Sequence, residues 1–199
     1  MKSAFLIPGY SPDLTFKDPS LDLLRDEMTK YQVNLYGVTD SWGNYSVYEF
    51  GKLAIKQAQL LEQNKIFIGH SLGALVALKV VSKIQVRHLV LCSTSALFAE
   101  DIANNANPTV EKRIGPQRVH ELSKYMAAEA VDSINRQGIS TTIMFGENER
   151  ETNPNLVARC TQLAKEIDDA ELIEVEGAGH VIGLNPYANE LARVVSSKY

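Results

Sequence analysis

Residues 66–73 read Ile-Phe-Ile-Gly-His-Ser-Leu-Gly, an apolar run of β type that passes straight into a helix-forming stretch. Few local patterns constrain a fold as tightly. The chain must leave a strand, turn sharply around Ser71 and enter a helix with no linker between. Side chains at positions 69 and 73 would collide with strand and helix as they close on the turn, and Gly69 and Gly73 remove them. This nucleophile elbow leaves the Ser71 hydroxyl exposed at the carboxyl end of a sheet, with a helix N-terminus just behind it.

Strand and helix signals alternate along the rest of the chain, the pattern of a parallel sheet covered on both faces. Strands are expected at 3–7, 32–38, 65–68, 86–92, 140–145 and 171–175. Helices are expected at about 20–31, 47–64, 72–83, 154–167 and 187–197. Leu21, Leu24 and Met28 set the period of the first helix, with Asp18 to Ser20 offering capping chemistry. The expected fold is a three-layer α/β/α sandwich on a mainly parallel six-stranded sheet, a single domain over residues 1–199. Residues 94–139, between the fourth and fifth strands, exceed what a crossover needs. They carry an Asn-rich turn (Asn104, Asn105, Asn107, Pro108) and read as a crossover helix plus a short cap segment over the sheet's carboxyl edge.

A net charge of −4 without a basic patch argues against a nucleic-acid partner. No apolar run has the length of a membrane span, and the first apolar run, broken by Pro8-Gly9, suits a core strand better than a signal peptide. Cys92 and Cys160 do not make a disulfide framework, which points to a reducing, cytoplasmic setting. Cysteines and histidines are not at metal-ligand spacing and no Gly-rich phosphate loop is present, so neither metal nor organic cofactor is expected. Monomer and homodimer both remain open.

A serine hydroxyl becomes a useful nucleophile when a base removes its proton. Of four histidines, His70 should pack at the turn, while His88 and His120 read as surface or capping residues. His180 follows the last strand in Gly177-Ala178-Gly179-His180, where it can lean over the edge from which the elbow emerges. A carboxylate should fix the imidazole's tautomer. The fifth strand ends Gly146-Glu147-Asn148-Glu149-Arg150-Glu151, so three glutamates lie between Ser71 and His180 in chain order.

With elbow, acid and histidine in that order, the sequence resembles a small member of the α/β-hydrolase superfamily over essentially its whole length. In that family a strand ending in Gly-x-x-Asp supplies the acid. Gly146-Glu147-Asn148-Glu149 has that spacing with glutamate for aspartate, so the resemblance implies Glu149 ahead of Glu147 and Glu151. It also implies an oxyanion hole of two backbone N–H groups. One is that of Leu72; the other comes from Pro8-Gly9-Tyr10-Ser11-Pro12, where proline lacks an N–H and Tyr10 is the better candidate. The loop Asp40-Ser41-Trp42-Gly43-Asn44-Tyr45-Ser46 is loosely similar to a family turn, and Trp42 and Tyr45 are expected either to line a substrate pocket or simply to pack. The implied activity is hydrolysis of a small-molecule carboxylic ester, with thioester hydrolysis and a non-catalytic ligand-binding homologue as alternatives.

Overall fold

The computed structural model describes residues 2–13, 15–61, 65–104 and 108–199. Its sheet consists of β1 (Lys2–Ile7), β2 (Val33–Gly37), β3 (Lys65–His70), β4 (Val86–Cys92), β5 (Thr141–Gly146) and β6 (Ala170–Val175). The strand order is β2-β1-β3-β4-β5-β6, and every neighbouring pair runs parallel. The helices are α1 (Asp22–Lys30), α2 (Val47–Ala58), α3 (Leu72–Val80), α4 (Ala99–Asn104), α5 (Pro108–Ile114), α6 (Pro116–Leu122), α7 (Ala127–Gln137), α8 (Glu149–Thr152), α9 (Pro154–Glu166) and α10 (Tyr187–Ser197).

Side-chain alternation along the strands divides the core into two layers. Ile66 and Ile68 of β3 face α1 and α10, whereas Phe67 between them faces the opposite layer with α2, α3, α7 and α9. Burial on both faces explains why the strands read as continuous apolar runs. Helix α3 is buried nearly all round, because it lies between the sheet on one side and α2 and α7 on the other.

Local chemistry sets several helix starts. Asp18 accepts a hydrogen bond from the Ser20 N–H at 2.8 Å ahead of α1. Ser46 and Glu49 form a reciprocal capping box at α2, each side chain accepting from the other's backbone N–H. The expected helix over 47–64 ends at Ala58, and residues 62–64 lie outside the described residues. Asn105 and Asn107 of the expected Asn-rich turn also lie outside them. Between β4 and β5 the described residues form four helical pieces, α4 to α7.

The order of strands prepares a site. The turn after β1 leads to α1 on one face, while the turn after β3 leads to α3 on the other. Neighbouring strands whose exits diverge in this way open a crevice at their carboxyl ends. The elbow lies at that crevice.

His88 departs from the surface role expected for it. It is 3% exposed, with its Nε2 2.9 Å from Thr142 Oγ1 on the neighbouring strand. The chain end lies across the start of β4, with Arg87 Nε donating to the Lys198 carbonyl. Burial, aided by the Lys198 charge and opposed by Glu171 and Asp169, lowers the His88 pKa to about 4. Since the folded value is below the unfolded one, neutral His88 contributes stability above about pH 6.5 that is lost as pH falls through about 4. Urea titrations between pH 7.5 and 4 should therefore show a shallower acid-side loss of stability in His88→Gln than in wild type. Equal slopes would contradict this assignment.

Candidate active site

Ser71 lies between β3 and α3 with φ 54° and ψ −120°, a positive-φ conformation that is costly for a residue with a Cβ. Its neighbours hold it there. The Ser71 N–H donates to the Cys92 carbonyl at 2.9 Å, and the Ser71 carbonyl accepts from the Ser95 N–H at 3.3 Å. A Cβ on Gly73 would lie 2.3 Å from the Ile7 carbonyl oxygen, and one on Gly69 would lie 2.6 Å from Ala74 Cα. Both glycines are thus required by backbone that cannot swing aside.

Gly146 plays a similar part at the acid. A Cβ there would come within 2.5 Å of the Ala178 carbonyl oxygen and 2.6 Å of that of Gly179. The loop after β6 can therefore cross directly over the end of β5, where Asn148 N–H donates to the Ala178 carbonyl at 2.9 Å. This crossing brings His180 beside Glu149.

The structure brings Ser71, His180 and Glu149 into one hydrogen-bonded row. His180 Nδ1 is 2.7 Å from Glu149 Oε1, and His180 Nε2 is 3.0 Å from Ser71 Oγ. An ionised Glu149 can only accept, so Nδ1 carries the proton and Nε2 is left to accept from the serine hydroxyl. Glu149 is fully buried, and burial alone would raise its pKa. Hydrogen bonds from His180, Ser93 and the Gly146 N–H outweigh that cost and hold it below the ordinary carboxylate value. Ser93 Oγ donates to Glu149 Oε2 at 2.6 Å and the Gly146 N–H donates at 2.8 Å. Ser93 Oγ also lies 3.2 Å from the buried Tyr187 hydroxyl.

The other glutamates are placed differently. Glu147 accepts from the Gly177 N–H at 2.8 Å and so braces the histidine loop, while Glu151 is exposed. His70 Nε2 donates to the His180 carbonyl at 2.8 Å. Burial first, then the nearby His180, pushes the His70 pKa down to about 3, so it stays a neutral donor.

Leu72 opens α3, where the first N–H groups have no partner within the helix. The turn after β1 lies against the elbow: a Cβ on Gly9 would be 3.0 Å from Ser71 Cβ. The Tyr10 ring packs 5.8 Å from Trp42 and 4.9 Å from the Arg118 guanidinium. Trp42 and Tyr45 are not among the residues lining the two described cavities that border Ser71. Trp42 is fully buried, stacks on Phe50 at 3.9 Å and donates from Nε1 to the Pro8 carbonyl at 3.2 Å. Tyr45 leans on Phe50, half exposed. Through Pro8 and Tyr10, Trp42 supports the turn after β1.

The two cavities meet at Ser71 and His180. One, of about 410 Å³, extends toward Ser95, Arg113, Asn153 and Leu156. The other, of about 200 Å³, is bounded by Pro8, Tyr10, Leu21, Val181 and Ile182. Sequence reasoning passed over Ser93, Ser95 and Arg113. The run Ser93-Thr94-Ser95 at the carboxyl end of β4 was the available signal for the first two.

Among solved structures, the chain is similar over 98% of its length to an α/β hydrolase enzyme from the metagenome of lagoon sediments at Mar Chica, Morocco. That match covers 89% of the other chain at 18% identity, with a TM-score of 0.68. A monoacylglycerol lipase from Paleococcus ferrophilus matches over 99% of this chain and 95% of its own, at 18% identity and TM-score 0.66. A bromoperoxidase from Bacillus anthracis matches over 98% and 92%, at 12% identity and TM-score 0.72. The chain therefore has the α/β-hydrolase fold.

No curated protein sequence matches it. A family model, that of the NAD dependent epimerase/dehydratase family, matches residues 39–174. The matched stretch leaves out β1 and the turn after it, where a dinucleotide-binding fold carries its glycine fingerprint. Here that turn reads Pro8-Gly9-Tyr10-Ser11-Pro12, and the strand order is not the 3-2-1-4-5-6 of a dinucleotide-binding sheet. Among the described residues, no group of three or more His, Cys, Asp or Glu is placed to hold a metal, and no helix is long and apolar enough to cross a membrane.

The strain at Ser71 yields an expected trade. Ser71→Gly should unfold later than Ser71→Ala, by about 1 kcal/mol, since glycine adopts the positive φ freely but loses more chain entropy. Paired denaturant melts measure it, and equal stabilities would contradict a strained elbow. Gly73→Ala should cost more than about 3 kcal/mol, because its methyl group meets β1 backbone; a native-like melt would show that α3 can move away.

Proposed function

We propose that this chain is a serine hydrolase that cleaves small-molecule carboxylic esters through an acyl-serine intermediate. The observation that carries the reading is the row from buried Glu149 through His180 to Ser71, with contacts of 2.7 and 3.0 Å at the mouth of two cavities. Its parts have the complementary roles such chemistry needs.

In this reading Ser71 Oγ attacks the ester carbonyl carbon as His180 Nε2 takes the hydroxyl proton. The new imidazolium is stabilised by ionised Glu149, which also keeps the ring oriented. Negative charge developing on the carbonyl oxygen is met by the N–H groups of Leu72 and Tyr10, at the start of α3 and in the turn after β1. Collapse of the tetrahedral intermediate expels the alcohol, which leaves with the proton held by His180. Water then enters, gives a proton to His180 and attacks the acyl carbon, and the carboxylic acid departs as Ser71 recovers its proton. No redox partner is required by any step.

A glutamate rather than an aspartate adds one methylene between backbone and carboxylate. Ser93 and the Gly146 N–H support the longer side chain by holding Oε2, leaving Oε1 for His180. The free, buried Cys92 and Cys160 are compatible with the cytoplasmic setting proposed here.

Time courses with p-nitrophenyl acetate, butyrate and octanoate, and with matching acyl-CoA thioesters, test the reading. Wild type should turn over the oxygen esters, and Ser71→Ala should lose at least about 10³-fold in kcat. Glu149→Gln should lose about 10²-fold or more, because a neutral amide no longer stabilises the imidazolium. Wild-type rates no greater than those of Ser71→Ala would overturn the proposal.

A further inference from the structure

The larger cavity beside Ser71 has an uneven electrical character. Among the described residues, its wall carries one ionised side chain, Arg113 of α5, and no aspartate or glutamate. Arg113 is exposed, and none of the described residues forms an ion pair with it. The same cavity is lined by Asn153 and Asn155, which offer side-chain amides, and by Thr152, whose hydroxyl donates to the Asn148 carbonyl and accepts from one N–H of Asn153. The first turn of α9, a 13-residue helix, also lines this space, and its N-terminal dipole adds to the positive potential.

The smaller cavity contrasts with this. Pro8, Tyr10, Leu21, Val181 and Ile182 make it mainly apolar, and among the described residues no Lys, Arg, Asp or Glu lines it. A substrate whose ester carbon sits at Ser71 therefore extends into two unlike environments. One suits a short apolar group of limited volume. The other, about twice as large, suits a group with acceptor oxygens and negative charge.

Resting on the ester-hydrolase reading, we infer that the natural substrate is an anionic ester, with a carboxylate on the portion that occupies the Arg113 cavity. The guanidinium pairs with that carboxylate, and the Asn153 and Asn155 amides donate to its remaining lone pairs. The uncharged portion occupies the smaller cavity. This assignment separates the enzyme from one adapted to long aliphatic chains, for which an arginine and two asparagines would be poor neighbours.

The experiment compares matched neutral and anionic esters. On the acyl side, the mono-p-nitrophenyl ester of glutaric acid is set against p-nitrophenyl valerate. On the alcohol side, 4-acetoxybenzoate is set against its methyl ester. In one of the two pairs, wild-type kcat/KM should favour the anion by about tenfold, the scale of a charge-assisted contact. Which pair shows the preference identifies the portion that faces Arg113. Arg113→Gln should abolish the preference and Arg113→Glu should reverse it. In the wild type the preference should shrink as salt is raised, a readout that requires no variant to fold.

Ser71-dependent turnover with no anionic preference in either pair, or a preference that survives Arg113→Gln, would overturn this inference while leaving the serine-hydrolase reading in place. Absence of Ser71-dependent turnover of all four esters, with no labelling of Ser71 by a fluorophosphonate, would overturn both.

Discussion

The site depends on how closely α3 approaches the end of β1. Gly73 sits where any side chain would strike the carbonyl oxygens of Ile7 and Pro8, so helix and strand touch backbone to backbone. That contact leaves Ser71 little freedom. The turn must close within a single residue, and Ser71 takes up a positive φ to do so. The same contact sets the turn after β1 against the elbow, with Gly9 resting on Ser71 Cβ and Trp42 holding the Pro8 carbonyl from behind. Position and strain at the serine are thus consequences of packing elsewhere, which is why the scaffold can present a hydroxyl in a conformation that an isolated peptide would avoid.

A second constraint is electrostatic. Among the described residues no arginine or lysine forms an ion pair with buried Glu149, and such a charge is costly unless its oxygens are satisfied. His180, Ser93 and the Gly146 N–H satisfy them, and each comes from a different part of the sheet's carboxyl edge. The acid therefore fixes the histidine loop as much as the loop fixes the acid. Gly146 makes this possible by admitting the Ala178 and Gly179 backbone across the end of β5. His70, kept neutral by burial, secures the same loop through the His180 carbonyl.

Those features that rest on local sterics could be read directly from the sequence. Gly69 marks the elbow through backbone within five residues of it, at Gly73 and Ala74, whereas Gly73 was legible from the Gly-x-Ser-x-Gly spacing although the backbone it meets is that of Ile7 and Pro8. The apolar strands were visible because both faces of the sheet are covered, and the last helix has the expected bounds, Tyr187–Ser197. Partnerships between distant segments were not visible. Trp42 faces inward because its indole finds a carbonyl 34 positions away, and nothing in its own loop indicates the direction. His88 opens a strand and so resembled a surface residue, but the chain end folds across it. Ser93 meets Glu149 across 56 positions of sequence. Arg113 belongs to the segment between β4 and β5, whose subdivision into short helices has no strong periodic signature.

The central claim is that the His180–Glu149 pair activates Ser71. Intact-mass and peptide-mapping analysis after exposure to diethyl p-nitrophenyl phosphate tests it without assuming any natural substrate. The account predicts one diethylphosphoryl group per chain, attached to Ser71, and labelling at least about 10²-fold slower in His180→Ala, where the general base is missing. An unmodified Ser71, or labelling equally fast without His180, would contradict it.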